Sequence, residues 1–157
     1  MKVCSKKATQ MHRRMVRKFI LKIVWLLIKR AFTHDKSKLS KEEKPGFDKY
    51  TPMLAKMTYG SEIYKQHLAA LGETLKIHYS RNRHHPEFYS QGIKEMDLVD
   101  IVEMFCDWFA ATKRHDDGNI YASILKNKER FDYGDDIAFI LNNTAYRIFG
   151  FQKKHQK

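Results

Sequence analysis

The pair His34-Asp35 is the starting point for any chemistry that this chain could perform. It opens the run His34-Asp35-Lys36-Ser37-Lys38, directly after a long apolar stretch. An adjacent imidazole and carboxylate form a set of ligands that divalent transition metals accept. A carboxylate can also bridge two ions, and a two-metal site suits displacement at phosphorus. The pair therefore predicts a metal-dependent hydrolase.

Other histidines and carboxylates occur where they could converge on this pair. His12 and His78 each fall on the apolar stripe of a predicted helix, and Glu103 and Asp107 lie one turn apart beside the apolar face of another. A buried ionised carboxylate is costly unless it is paired or binds metal. The joint pattern favours a metal site over isolated core histidines. The predicted ligands are His12, His34, Asp35, His78, His84, His85 and Asp107, with Glu103 beside them.

Basic residues near these ligands suggest a phosphate site. Lys38, three residues after Asp35, is placed to hold a substrate phosphate at the metal, and Arg81 and Arg83 flank the loop that carries His84-His85. All three are equally compatible with ordinary surface charges. Two adjacent histidines usually point in different directions, so one is expected on a first metal and the other on a second metal or the substrate.

The position of His12 conflicts with a simple helix. If residues 12–34 form one straight helix, His12 and His34 lie about 33 Å apart and cannot share an ion. Either His12 is not a ligand or the helix breaks between them. No glycine or proline marks a break, and the β-branched pair Ile23-Val24 is the weakest helical point. We therefore predict a turn near residues 22–25.

Composition indicates a single helical domain. The chain has 157 residues, of which 43% are apolar, and only 7 glycines and 3 prolines. That is enough to bury a core, with too few turn residues for an all-β fold. Cys4 and Cys106 lie far apart, so no disulfide is expected and a reducing cytoplasm is the predicted location. We predict an all-α bundle of six or seven helices in residues 9–150, with flexible basic ends at 1–8 and 151–157.

Several helix boundaries follow from capping residues and apolar periodicity. Thr9 is the predicted cap of the first helix, whose segment Phe19–Ile28 is predicted to be buried, being too short and too interrupted to span a membrane. Asp97 is predicted to cap a later helix, with Asp100 in its first turn. Three further helices are predicted. One runs from near Ser61 to near His78, one covers 120–129, and the last covers about 136–148 with Asp135 as its cap.

The net charge of +12 favours a partner that carries phosphate. A nucleotide, a nucleic acid and an anionic membrane all satisfy that condition. Much of the charge lies near the two ends of the chain, so solubility is an alternative explanation.

The order His, His-Asp, His, Asp on successive helices resembles the HD superfamily of metal-dependent phosphohydrolases. The residues of this motif correspond here to His12, His34-Asp35, a later histidine and Asp107. The run from His34 to Lys38 resembles the His-Asp-x-Gly-Lys segment of that superfamily, with Ser37 in place of glycine. His78 and His84-His85 are similar to the extra histidines of members that hold two or more metals.

A second resemblance covers most of the chain. It is to an uncharacterised family of short bacterial and phage proteins, a domain of unknown function. The landmarks are His34-Asp35-x-Ser37-Lys38-Leu39, Tyr59-Gly60-Ser61, His78-Tyr79-x-x-Asn82-x-His84-His85-Pro86-Glu87 and Glu103-Met104-x-x-Asp107-Trp108.

The HD resemblance implies a specific arrangement of metals. His12, His34, Asp35 and Asp107 would bind one ion, and Asp35 would bridge to a second ion held by His78 and by His84 or His85. The implied cofactor is one or two divalent ions of manganese, iron, zinc, cobalt or nickel, and the implied helix break after His12 agrees with the turn predicted above.

The expected function is hydrolysis of a nucleotide or another phosphoester, with Asp35 and Lys38 as catalytic residues. Two alternatives remain open. One is an HD-like di-iron oxygenase, and the other is a non-catalytic module that binds nucleic acid or protein through its basic surface. The sequence does not indicate the oligomeric state.

Overall fold

A computed structural model describes residues 5–54, 57, 61–114 and 118–151, apart from the side chains of Tyr64 and Lys65. Helices account for all the regular structure of these residues, which contain no β-strand. The prediction of an all-α chain with six or seven helices is confirmed. The seven α-helices are α1 Ser5–Thr33, α2 Lys44–Leu54, α3 Glu62–Ala70, α4 Gly72–Arg81, α5 Leu98–Thr112, α6 Ile120–Phe131 and α7 Asp135–Arg147.

The chain divides into two compact units, Met1–His34 and Asp35–Lys157. Helix α1 makes up nearly all of the described part of the first unit, and α2 to α7 belong to the second. The tail predicted at 151–157 lies outside the described residues except for Phe151.

Helix α1 corrects two predictions about where helical structure begins and breaks. It begins at Ser5, so Thr9 lies inside the helix and is not its cap. It runs without interruption to Thr33, so the turn predicted near 22–25 is wrong. The β-branched pair Ile23-Val24 costs only a few tenths of a kcal/mol per residue, too little to break a helix rich in leucine, lysine and arginine.

The apolar segment Phe19–Ile28 is not buried as predicted, since no residue of α1 is buried. A single helix has no neighbour within its own unit to cover its apolar side chains. No helix among the described residues is long and apolar enough to cross a membrane.

The core of the second unit is built by α5, α6 and α7. Phe105, Ile120, Ile124, Leu141 and Ala145 form one buried cluster, and a smaller one contains Ile93, Met104 and Tyr133.

Helix caps fix the starts of these helices. Asp97 caps α5 as predicted, and its side chain accepts hydrogen bonds from the backbone N–H groups of Val99 and Asp100. Asn119 caps α6 in the same way. The predicted cap of α7, Asp135, is instead its first residue, and Gly134 holds the cap position.

The apolar stripe predicted between Ser61 and His78 is divided between two helices. Helix α3 ends at Ala70, and α4 begins at Gly72. Between them, Leu71 is buried, and its backbone N–H donates to the carbonyls of His67 and Leu68. The break does not disturb the stripe's last member, His78, which is 1% exposed. Helix α4 therefore delivers a histidine to the interior of the second unit.

Gly46 allows α2 to approach α4 closely. A Cβ atom at this position would lie 2.9 Å from both Cβ and Cγ2 of Thr74, with Oγ1 closer still. Because the Cβ of Thr74 is fixed to the backbone of α4, rotation of its side chain cannot relieve the contact. Gly72, at the start of α4, has no heavy atom within 4 Å of the corresponding position.

We predict that Gly46→Ala destabilises the protein by about 1 to 3 kcal/mol, because the overlap with Thr74 outweighs the higher helix propensity of alanine. The matched control Gly72→Ala should leave the free energy of unfolding unchanged or raise it by up to about 1 kcal/mol. Urea denaturation of the three proteins measures both values. Equal stabilities for the two variants would contradict the close approach.

Candidate metal centre

Three segments of the second unit bring four potential ligands together. Asp35 precedes the 3₁₀ turn Lys36–Leu39, His78 lies in the last turns of α4, and His84 and His85 follow in the irregular segment after that helix. Each offers one ligand atom, and the four atoms lie within 4.8 Å of one another.

Asp35 has an unusual backbone conformation that starts the turn. Its φ of 55° and ψ of 13° are left-handed, a region that L-residues seldom adopt and that aspartate tolerates better than most. Its carbonyl accepts from the backbone N–H of Lys38, and its Oδ2 accepts from Lys38 Nζ at 2.6 Å. These two bonds hold the carboxylate so that Oδ1 faces the histidines.

Three of the distances between the ligand atoms match those around a single ion. His78 Nε2 lies 3.0 Å from His85 Nε2. Asp35 Oδ1 lies 3.3 Å from His78 Nε2 and 3.5 Å from His84 Nε2. Two atoms that each lie about 2.1 Å from an ion are separated by roughly 3.0 Å in octahedral and 3.4 Å in tetrahedral geometry. The residues therefore fit a transition-metal ion.

A buried hydrogen-bond network sets the tautomer of His78. Its Nδ1 lies 2.8 Å from Oε2 of Glu43, which is fully buried and can only accept while ionised. The Asn82 amide donates to Ser37 Oγ and to the carbonyl of His78, both at 2.7 Å, and Ser37 donates to Glu43 at 3.0 Å. With those donors engaged, Nδ1 of His78 carries its own proton, and the lone pair of Nε2 faces Asp35.

Glu103 supports His84 in the same manner. Oε1 of Glu103 lies 3.3 Å from Nδ1 of His84, and both side chains are buried. A carboxylate behind the far nitrogen of a histidine fixes the tautomer and raises the basicity of the metal-facing nitrogen. The predicted supporting position of Glu103 thus corresponds to a contact with His84.

His85 is held as a neutral imidazole. Burial lowers the pKa of His85 to about 3, with further lowering from His84 and His78. Its ring packs 4.1 Å from that of His84 and 4.8 Å from that of His78, between centroids. A neutral histidine keeps a lone pair that a metal can use.

A cavity of about 840 Å³ adjoins these ligands within the second unit. His78, His85, Lys38 and Asp107 line one part of it. The negative charge of Asp107 raises the pKa of His85, but burial and the neighbouring histidines lower that pKa by more. A substrate in this cavity would lie against the histidines, with the Lys38 ammonium within its walls.

The two arginines predicted to clamp phosphate are engaged with carboxylates. Arg81 lies 3.5 Å from Glu42 and 3.6 Å from Glu43, and neither Arg81 nor Arg83 is among the described residues that line the cavity. Arg114, Lys126 and Arg130 line it instead, and the sequence analysis did not single them out.

Arg83 anchors the histidine loop to the start of α5. It donates to Asp100 at 2.9 Å and to Asp97 at 3.1 Å, and Tyr89 donates to Asp100 at 2.5 Å. Burial raises the pKa of the Asp100 carboxyl, but the hydrogen bonds from Tyr89 and Arg83 outweigh it and hold that pKa below its ordinary value. Because Arg83 directly precedes His84, this network positions the backbone of the ligands.

The two predicted ligands of the first unit are separated by the continuous helix. His12 and His34 lie 22 residues apart with α1 running between them, or about 33 Å at 1.5 Å per residue. They therefore cannot bind one ion within a single chain, and the break that His12 required is absent. His34 is bonded directly to Asp35, and its role as a ligand stays a prediction.

Glu43, Ser37 and Asn82 were not assigned a role at the candidate centre from the sequence, although Ser37 and Asn82 were family landmarks. Glu43 is 35 residues from its partner His78, so no local pattern connects the two. Asn82 was visible as a family landmark, four residues after His78 on the same helical face, which was a usable signal for a contact with it.

We predict that Glu43→Gln and Glu103→Gln each weaken transition-metal binding by about 10- to 100-fold, since each removes the carboxylate behind a ligand histidine. Competition with a chromophoric chelator for zinc or manganese measures the affinity. The control Glu73→Gln, at an exposed position paired with Lys76, should bind like the wild type. Unchanged affinity in both site variants would contradict the assigned supporting contacts.

We also predict that Asp100→Asn lowers the free energy of unfolding by about 1.5 to 3 kcal/mol near neutral pH, because charged hydrogen bonds to Arg83 are lost. The pKa of Asp100 is lower folded than unfolded, so its contribution is complete above about pH 4 and disappears as the pH falls through the folded value. Urea denaturation between about pH 7 and pH 2 should show the difference from wild type shrinking. A constant difference would refute this assignment, and the exposed control Asp48→Asn should change stability little.

Comparison with known proteins places the chain in a family without assigning an activity. No curated protein and no solved structure matches it. A model described as a family of unknown function, DUF5662, matches residues 1–147 of the 157. The resemblance to an uncharacterised family is thereby confirmed, and the chain belongs to the family of unknown function DUF5662.

Proposed function

We propose that this protein is a metal-dependent hydrolase of phosphoesters. The observation that carries the proposal is the convergence of Asp35, His78, His84 and His85, whose potential ligand atoms lie within 4.8 Å of one another. The ligands border a cavity of about 840 Å³, so that a substrate has room beside them. Histidine and carboxylate ligands suit manganese, iron, zinc, cobalt or nickel.

A bound ion would supply a hydroxide nucleophile at neutral pH and neutralise charge on the phosphate. The residues of the chain do the rest. Asp35 presents Oδ1 to the centre, while Lys38 holds Oδ2 and contributes a positive charge at the edge of the cavity. Lys38 also lies 4.9 Å from the centre of the Phe47 ring, which limits where its ammonium group can move.

The HD superfamily remains the resemblance that suggests this chemistry. His34-Asp35, the later histidines and Asp107 follow its order. His12 does not fit one centre of that kind within a chain, because α1 is continuous. The four-residue cluster therefore supports the proposal more directly than the motif does.

Two substitutions test the proposal. Asp35→Asn preserves the left-handed backbone, which asparagine also tolerates, but removes the charge. We predict at least a 100-fold loss of phosphoester hydrolysis with weaker metal binding. Lys38→Met should lower kcat/KM by about 10- to 100-fold, since both a positive charge beside the phosphate and the hydrogen bond to Asp35 Oδ2 are lost.

The measurement is phosphate release from a panel of phosphomonoesters and diesters by protein loaded with manganese, with Lys41→Met as the control at an exposed position. Oxygen uptake is followed in the same samples loaded with iron. Hydrolysis that is equal in wild type and Asp35→Asn would refute the proposal, as would oxygen-dependent turnover with no phosphate release.

A further inference from the structure

We propose that the substrate carries a large apolar organic group, making it an aryl or long-chain alkyl phosphoester. This inference rests on the proposed hydrolase function and specifies its substrate class. It concerns the part of the cavity beyond the metal ligands.

The size of the cavity indicates that more than a phosphate binds there. Its volume of about 840 Å³ lies within the range of roughly 300 to 1,000 Å³ found for sites that bind small organic molecules. Lys38, His78, His85 and Asp107 occupy one part of its wall. The remaining space is continuous with that part, so a phosphoester at the ligands would extend its organic group into it.

One wall of this remaining space is apolar. It is built by side chains of α2, α3, α4 and the residue that joins α3 to α4, namely Phe47, Leu54, Leu68, Leu75 and Leu71. Leu71 is buried, and the other four are half-buried and border the cavity. Each methylene group of a ligand buried against such a wall is worth about 0.8 kcal/mol, or roughly fourfold in affinity.

Aromatic rings extend the apolar surface on other sides. Trp108 and Phe131 both line the cavity and lie nearly parallel, at an interplanar angle of 6° and 6.1 Å between centroids. Tyr79 packs against His85 at 4.8 Å, next to the ligands. Flat rings of this kind favour an aryl group or an extended chain.

Three of the polar side chains of α6 that line the cavity have partners within the protein. Asn127 and Ser123 are buried, and the Asn127 amide donates to Ser123 Oγ at 3.4 Å. Arg130 donates to Glu87 at 2.6 Å. Recognition of a nucleoside base relies on hydrogen-bonding groups directed at its edges. Because these three groups already have partners, they are less available to the edges of a base, and the apolar wall favours an apolar group.

The test compares binding of methyl phosphate, octyl phosphate, 1-naphthyl phosphate and adenosine monophosphate, by calorimetry, to the full chain loaded with manganese. We expect octyl and naphthyl phosphate to bind at least tenfold more tightly than methyl phosphate. Leu75→Gln and Ala111→Phe should abolish this preference, the first by making the wall polar and the second by filling the cavity. Leu125→Gln, on an exposed position of α6, should preserve it.

Equal binding of methyl and naphthyl phosphate, or tightest binding of adenosine monophosphate, would overturn the inference. Retention of the preference in both cavity variants would overturn it too. Phosphate release from the same compounds separates the two proposals. Selective binding without hydrolysis would support an apolar ligand for the cavity and refute the proposal of a hydrolase. Hydrolysis with equal kcat/KM for all compounds retains the hydrolase and refutes the apolar substrate.

Discussion

At the candidate metal centre of the second unit, the lone pairs of several buried side chains point toward one another. Glu43 fixes a proton on Nδ1 of His78, and Glu103 does the same for His84, so the Nε2 lone pairs of both rings are directed toward Oδ1 of Asp35. Three acceptors facing one small volume repel each other, and bringing them there from water adds a desolvation cost. A cation at their common centre offsets both terms, and the ligand spacing leaves room for one.

The local structure around this centre is arranged to hold these groups in place. Asp35 adopts a left-handed conformation that costs an L-residue about 1 to 2 kcal/mol, which implies that the surrounding contacts enforce it. The Arg83–Asp100 ion pair ties the histidine loop to the capped start of α5. A left-handed backbone at Asp35 and buried ionisable groups thus both serve to position the four side chains.

The sequence could predict the helices and most of the ligand types, because apolar periodicity and histidine spacing are local signals. The burial of His78 followed from apolar periodicity, whereas the sequence left open which of His84 and His85 would be a ligand. It could not predict Glu43, whose contact with His78 depends on how α2 and α4 pack, with Gly46 against Thr74. The expected break in α1 failed for a different reason. It was inferred from the requirement that His12 reach the metal, whereas the local helix propensity of residues 22–25 favoured continuity.

The most direct test of the central claim is an anomalous difference map from a crystal of the full chain grown with manganese or zinc. The account predicts a peak about 2.0 to 2.3 Å from Nε2 of His78, Nε2 of His84, Nε2 of His85 and a carboxylate oxygen of Asp35. The peak should be absent in crystals of Asp35→Asn,His78→Gln prepared in the same way. A well-ordered crystal grown in excess metal that shows no peak at these atoms would contradict the account. The cluster would then be structural.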